Sequence, residues 1–191
     1  MTTTETTSAE EAPDSLAERV NNRSRRPSSD AFREFMGSQW GPRPDPGITR
    51  SAVADYLPAR ATAAGEPFSG ERLVIPAGTY KVRSNDCTYR FRAYSAFAHL
   101  SGLGQEREPD SVIVLEPLPE GGHEAVLYFK PRTSRSSQEF YSDSRYGEFW
   151  VGARPSLEEV SAETGLRCEH IDTLRDALAK DAGIVRLRVV R

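Results

Sequence analysis

The sequence predicts an α/β domain: a mixed sheet of about five or six strands with helices on both faces. Three observations predict it. Leu73-Val74-Ile75-Pro76 and Val112-Ile113-Val114-Leu115 are continuous apolar runs, the pattern of strands covered on both sides. The second run is followed, across a Pro- and Gly-containing stretch at 117–123, by Ala125-Val126-Leu127-Tyr128-Phe129, its antiparallel partner in a hairpin. Segments with helical spacing and helix-cap residues lie before, between and after these runs.

In chain order, residues 1–15 are rich in Thr, Ser, Glu and Ala and carry no aromatic or β-branched aliphatic residue. Such a stretch buries too little apolar surface to offset its ordering entropy, so it is expected to be a disordered tail. Residues 16–65 read as a helical N-terminal extension. A short helix is expected at 16–20, then a polar segment with Arg23, Arg25 and Arg26, which is either a solvated face or a surface for an acidic partner. A helix capped at Ser28, Ser29 or Asp30 runs through Gln39 with Phe32, Phe35 and Met36 on one stripe. Its successor, GPRPDPG at 41–47, is a rigid loop, because each proline lacks an N–H and restricts the residue before it. A second helix over 50–64 turns Val53, Tyr56 and Leu57 inward and stops at Gly65.

Residues 66–191 form the main domain. Its centre is the stretch 83–102, RSNDCTYRFRAYSAFAHLSG. A polar loop at Arg83, Ser84, Asn85 and Asp86 leads into an extended run with Arg90 and Arg92 outward and Tyr89 and Phe91 in the core. Tyr94, Phe97 and Ala98 then recur at helical spacing, and Gly102 stands where a left-handed C-cap belongs. Residues 132–144 read as a polar surface loop anchored by Glu139-Phe140-Tyr141. Ser156 and Glu159 make a capping box for a helix that ends at Gly165. A short extended segment at 166–171 precedes a last helix, capped by Asp172, with Leu174, Ala177 and Leu178 inward. Residues 184–190 alternate Val185, Leu187, Val189 with Arg186, Arg188, the period of a half-buried strand. Ending on a strand pattern, the sequence is expected to be truncated.

Composition narrows the function classes. The 25 basic and 28 acidic residues leave a net charge of −3, which speaks against a nucleic-acid partner. No apolar run approaches the ~20 residues of a membrane span, and there is no signal peptide. Cys87 and Cys168 lack metal or redox spacing, so a soluble, cytoplasmic protein with reduced thiols is expected. The three histidines, His99, His123 and His170, stand in no metal-binding spacing. His99 is expected to be packed beside a core helix, His123 solvated in the hairpin loop, and His170 without a partner. No phosphate loop or nucleophile elbow is present.

The central stretch resembles the N-terminal domain of aminopeptidase P, in the creatinase/prolidase group of Xaa-Pro aminopeptidases. The matching residues are Arg83, Asp86, Tyr89, Phe91, Arg92, Ser95, Phe97, Leu100, Ser101 and Gly102, with His99 where that family has an aromatic residue. Tyr128-Phe129-Lys130-Pro131-Arg132 looks like the family's strand ending in arginine, and Glu148-Phe149-Trp150-Val151-Gly152-Ala153-Arg154 like its E-x-W-x-G-x-R element. The resemblance implies an RNase-H-like α/β domain that is not itself catalytic. It implies a separate C-terminal catalytic domain, absent here, that holds two manganese ions and cleaves the bond before proline in proline-containing peptides. By the same resemblance the N-terminal domain covers the active-site entrance and helps build a homo-oligomer. Asp86, Trp150 and Arg154 are the substrate-cleft or interface residues it carries over; no metal ligand or catalytic residue is assigned to this chain. Each also has a plainer reading: Asp86 caps a turn or pairs with Arg83, Trp150 is core, and Arg154 is a surface charge. Two other functions stay open, the equivalent domain of a creatinase- or prolidase-type amidohydrolase and a stand-alone assembly module.

Overall fold

In chain order, α1 (Asp30–Gly37) and α2 (Leu57–Gly65) precede the first strand, β1 (Arg72–Pro76). A small ribbon, β2 (Val82–Ser84) with β3 (Cys87–Thr88), leads to α3 (Ser95–Ser101). Then come β4 (Val112–Pro117), β5 (His123–Phe129), α4 (Gln138–Ser142), α5 (Glu148–Val151), α6 (Leu157–Thr164), β6 (Arg167–His170), α7 (Leu174–Ala179) and β7 (Leu187–Val189). This computed structural model describes residues 29–85 and 87–190. The tail at 1–15, the short helix at 16–20, the cluster of Arg23, Arg25 and Arg26, and Asp86 lie outside the described residues.

The main sheet has five strands in the order β6-β5-β4-β1-β7. The short loop 118–122 forces β4 and β5 to pair antiparallel, with Ile113 opposite Leu127. The long crossover through α4, α5 and α6 lets β6 return parallel to β5. β1 pairs antiparallel with β4 and parallel with β7, so the sheet is mixed, as expected.

Alternation along the strands builds two cores. On one face Leu73, Ile75, Ile113, Leu115, Leu127 and Phe129 meet α2 through Leu57 and Ala61, α3 through Phe97 and Leu100, and α6 through Val160. Phe97 and Phe129 are fully buried, each stabilising the fold by about 1.5–3 kcal/mol. On the other face Val114, Val126 and Tyr128 are covered by Leu174, Ala177 and Leu178 of α7. Arg72, only 2% exposed, pins α7 to this sheet: its Nε donates to Glu116 Oε2 (2.8 Å) and its Nη2 to Asp181 Oδ2 (2.7 Å).

Helix ends follow their cap residues. The Ser29 side chain accepts from the Phe32 N–H, the Ser156–Glu159 capping box is present, and Gly102 (φ 69°) and Gly165 (φ 72°) close α3 and α6. Several inward assignments fail at the rim. Phe35 and Tyr56 are exposed, because α1 has no buried residue and a 3-10 turn rotates Tyr56 out as Leu57 enters the core. Tyr89 is exposed too, since the ribbon before it stands off the sheet; only Phe91 goes in. β7 is an edge strand with Leu187 and Val189 largely in solvent. The last helix is preceded by a 3-10 turn whose cap is His170, not Asp172: His170 Nδ1 accepts from the Asp172 N–H at 3.2 Å. His123 is also engaged, its Nε2 donating to the Glu71 carbonyl (2.8 Å) with its ring against Gly65. His99, by contrast, is exposed on α3.

Candidate functional site

The E-x-W-x-G-x-R element folds as a single helical turn followed by a reversal. Gly147 enters α5 with no room for a side chain: a Cβ there would lie 2.5 Å from the carbonyls of Glu139 and Asp143. Gly152 leaves it at φ 84°, ψ −173°, a region open essentially to glycine alone. The reversal sends Trp150 and Arg154 into opposite environments.

Trp150 is 60% exposed. Its anchor is the indole N–H, which donates to the Tyr141 carbonyl at 2.6 Å. Phe149 stands edge-on to it at 6.0 Å, and Trp40 edge-on to Phe149 at 6.4 Å. Phe35, also exposed, lines one groove with Trp40 and Phe149, and Trp150 adjoins it through Phe149, so these rings make an aromatic patch between α1 and α5. This exposure counts against the reading of Trp150 as core.

Arg154 turns inward, with its side chain 9% exposed. Its Nη2 donates to Glu108 Oε2 (3.2 Å) and to the Lys130 carbonyl (2.6 Å), and the guanidinium lies 5.1 Å from the Tyr146 ring centre. It is not a surface charge. Glu108, 5% exposed, sits at φ 51°. Burial pushes its carboxyl above the ordinary range, against the opposing pull of Arg154 and Arg107.

A layer of ion pairs surrounds this contact. Glu148 Oε1 accepts from the Arg154 backbone N–H (3.1 Å), while Oε2 pairs with Arg43 of the proline loop. Arg132, at the end of the β5 extension, donates to the Arg154 carbonyl and pairs with Glu159 of the capping box. Arg107 holds Glu163 through two bonds of 3.1 Å. Nearby, Arg145 and the Tyr146 hydroxyl both donate to Asp110. The Tyr146 phenol is pushed up to about 12, by burial first and then by Asp110. The structure thus brings Arg154 together with Glu108, Arg43, Arg132 and Glu148. Trp150 lies on the neighbouring outer surface, and Asp86 is outside the described residues.

Glu108 and Arg43 were missed by sequence reasoning, since neither lies in a periodic segment or a recognisable motif. Glu159 was found only as a helix cap. Among the described residues no group of three or more His, Cys, Asp or Glu side chains is placed to hold a metal ion, so these residues do not fit a two-metal centre. No described helix is long and apolar enough to cross a membrane. Cys168 has its thiol pushed up to about 12 by burial first, then by nearby carboxylates, which leaves it a poor nucleophile.

The family model described as "Aminopeptidase P, N-terminal domain" matches residues 56–186, from the start of α2 to the edge of β7. The chain belongs to this family. This aminopeptidase P N-terminal domain is 40% identical over 157 residues to Xaa-Pro aminopeptidase 2 of Streptomyces coelicolor, covering 82% of this chain and 32% of that protein. Xaa-Pro aminopeptidase 1 of the same organism is 41% identical over 160 residues, covering 83% and 31%. The chain spans about a third of the length of these curated relatives. Among solved structures, aminopeptidase P from E. coli in its low-pH form aligns with a TM-score of 0.53 at 22% identity, over 66% of this chain and 26% of that one. Proline aminopeptidase P II from Yersinia pestis aligns at 0.52 and 24%, over 65% and 26%. At these identities the structural likeness is one of fold.

Proposed function

We propose that this chain is the non-catalytic N-terminal domain of a Xaa-Pro aminopeptidase, which removes the residue preceding proline from peptide N-termini. The observation that carries the reading is the 40% identity to Xaa-Pro aminopeptidase 2 over 157 residues. In this reading two manganese ions belong to a C-terminal catalytic domain. This chain's own residues bind, shield and orient. Trp150 and the aromatic patch around it face that domain, of the same or a neighbouring subunit in a homo-oligomer, and close the cleft against water. Tryptophan suits this role as a large, rigid contact face. Arg154 fixes the course of the loop behind the patch through Glu108 and Glu148, and Asp86 offers an anionic acceptor at the cleft mouth. The helical segment at 16–65 serves packing or assembly, and the protein works in the cytoplasm.

The test is release of the first residue from a tripeptide with proline in second place, in manganese buffer. The purified 191-residue chain should release none, and a protein that joins it to its catalytic domain should. Metal-dependent release by the 191-residue chain, above the level of a mock purification, overturns the non-catalytic assignment.

A further inference from the structure

The ribbon of β2 and β3, with the extended run after it, is strongly basic. Residues 81–92 hold Lys81, Arg83, Arg90 and Arg92 against a single acidic residue, Asp86, in a protein whose net charge is −3. Lys81, Arg90 and Arg92 line one groove of about 280 Å³ with Thr79, Tyr89 and Tyr94, and Arg83 flanks it on β2. All four basic side chains are exposed. Arg90 meets Glu106 at 2.6 Å, whereas Lys81, Arg83 and Arg92 meet no carboxylate among the described residues. Tyr89 and Tyr94 stand exposed beside them. A concave surface lined by one sign of charge focuses its field and draws in a chain of the opposite sign.

Such a chain is part of the same molecule. Residues 1–18 contain Glu5, Glu10, Glu11, Asp14 and Glu18 and no Lys or Arg. They precede Ser29, the N-cap of α1. Contacts lead from α1 to the groove: Phe32 packs edge-on against Tyr141 at 5.8 Å, and Arg145, four residues on, bonds Thr79 in the groove wall. Ten residues, 19–28, join Glu18 to Ser29 and extend up to about 35 Å. That length covers one helical turn, two side-chain contacts and four residues of chain. Arg19, Arg23, Arg25 and Arg26 all fall within these ten residues, so the segment divides into an acidic head and a basic stem.

We propose that the basic groove beside the β2–β3 ribbon is the docking site of this chain's own acidic segment, residues 5–18. Carboxylates of the segment meet Lys81, Arg83 and Arg92, and Ala12, Pro13 and Leu16 give Tyr89 and Tyr94 an apolar face. The charges are exposed, so each pair contributes little alone and the segment is held by several together. Salt screens them: the Debye length falls from about 10 Å at 0.1 M to about 3 Å at 1 M. The docked state is therefore populated at low salt and lost at high salt.

Coupling with a water-soluble carbodiimide tests it in the purified full chain. The reagent joins carboxylates to amines in contact, and the chain has three lysines, Lys81, Lys130 and Lys180. Lys130 lies 2.9 Å from Glu139, and that pair serves as the internal standard. At about 50 mM salt, mass spectrometry should find Lys81 joined to Glu10, Glu11, Asp14 or Glu18 in material that runs as a monomer. At about 1 M salt that yield should fall several-fold relative to the Lys130–Glu139 product. Arg92→Gln, an exposed position with no ion pair to break, should lower the Lys81 yield about twofold or more. Arg175→Gln on the exposed side of α7 should leave it unchanged. No product between Lys81 and residues 5–18 overturns the proposal, as does an equal yield of the same carboxylates on Lys180. Products found only in a dimer assign the groove to the segment of a second copy, and a yield indifferent to salt removes the charge argument; either result overturns it too. The readout needs no peptidase activity, so it stands or falls separately from the proposed function.

Discussion

The inner face of the sheet and the layer around Arg154 are both buried, yet opposite interactions hold them. The inner face is apolar throughout: Phe97, Ile113, Leu127 and Phe129 interdigitate and ask nothing of one another but shape. The Arg154 layer is charged, and each member depends on a named partner: Glu108 needs Arg154, and Glu148 needs both Arg43 and an N–H at the end of its own motif. Removing a group from the first region leaves a hole. Removing one from the second leaves a charge without its counterpart, and the cost then depends on pH. The first arrangement suits a scaffold. The second suits a loop cluster that must hold one shape while bearing polar chemistry.

The largest effect should come from the scaffold. Phe129→Ala empties a fully buried site at the C-terminal end of β5 and should cost ~3–5 kcal/mol. Urea denaturation measures it, and the loss should be the same at neutral and mildly acidic pH. A loss below ~1 kcal/mol would mean that the inner face is loosely packed and the contrast is false.

Arg154→Ala comes next and sharpens the contrast through pH. It strands Glu108, 5% exposed, without its ion-pair partner, a change that costs ~3–5 kcal/mol for a fully buried pair and less here because Arg107 stands 3.9 Å away. The Glu108 carboxyl already titrates above the ordinary glutamate range because of burial, so its folded form favours the proton. For such a group, stability is fully present below the unfolded value, near 4.3, and falls as pH rises through the folded value. Without Arg154 that folded value climbs further. The mutational loss should therefore be greatest at neutral pH and smaller at mildly acidic pH, because protonation of Glu108 becomes easier as pH falls. Equal losses at the two pH values would show that Arg154 acts by packing on Tyr146 rather than by its charge.

The same contrast explains what the sequence discloses. The inner face announces itself, because a strand covered on both sides must be apolar at every position, and 73–76 and 112–115 are. Helix caps are equally local: Ser156 and Glu159 lie three residues apart and meet as that spacing requires. The Arg154 layer has no such signature. Arg43, Glu108 and Arg132 come from three separate loops and strand ends, and their pairing is decided by the crossover that folds α5 and α6 back beside β5. Only the motif's own frame shows locally, in the two glycines that bracket α5. At the rim the failures have one cause: an apolar residue at the right period still lies outside when the element that should cover it is a short turn or a sheet edge. Phe35, Tyr56 and Leu187 are each in that position.

Trp150 tests the contrast from the outside, and its effect on folding should be the smallest. A tryptophan buried for packing loses ~3–5 kcal/mol on truncation to alanine. Trp150 has 60% of its surface in solvent, so little transfer energy is at stake. What the substitution removes is the edge contact with Phe149 and the bond to the Tyr141 carbonyl. A net hydrogen bond contributes about 1 kcal/mol, and the Tyr141 carbonyl can turn to water once the indole is gone. Trp150→Ala should therefore lower the stability of this chain by about 1 kcal/mol in chemical denaturation. In a protein that carries the catalytic domain, the same substitution should lower kcat/KM for a proline-containing peptide or loosen the oligomer in sedimentation. The ratio of these two responses is the informative quantity, because a core residue moves the first and a cleft residue the second. A loss of several kcal/mol with activity and assembly unchanged would place Trp150 with Phe129, as scaffold, and would remove the aromatic patch from the proposed cleft.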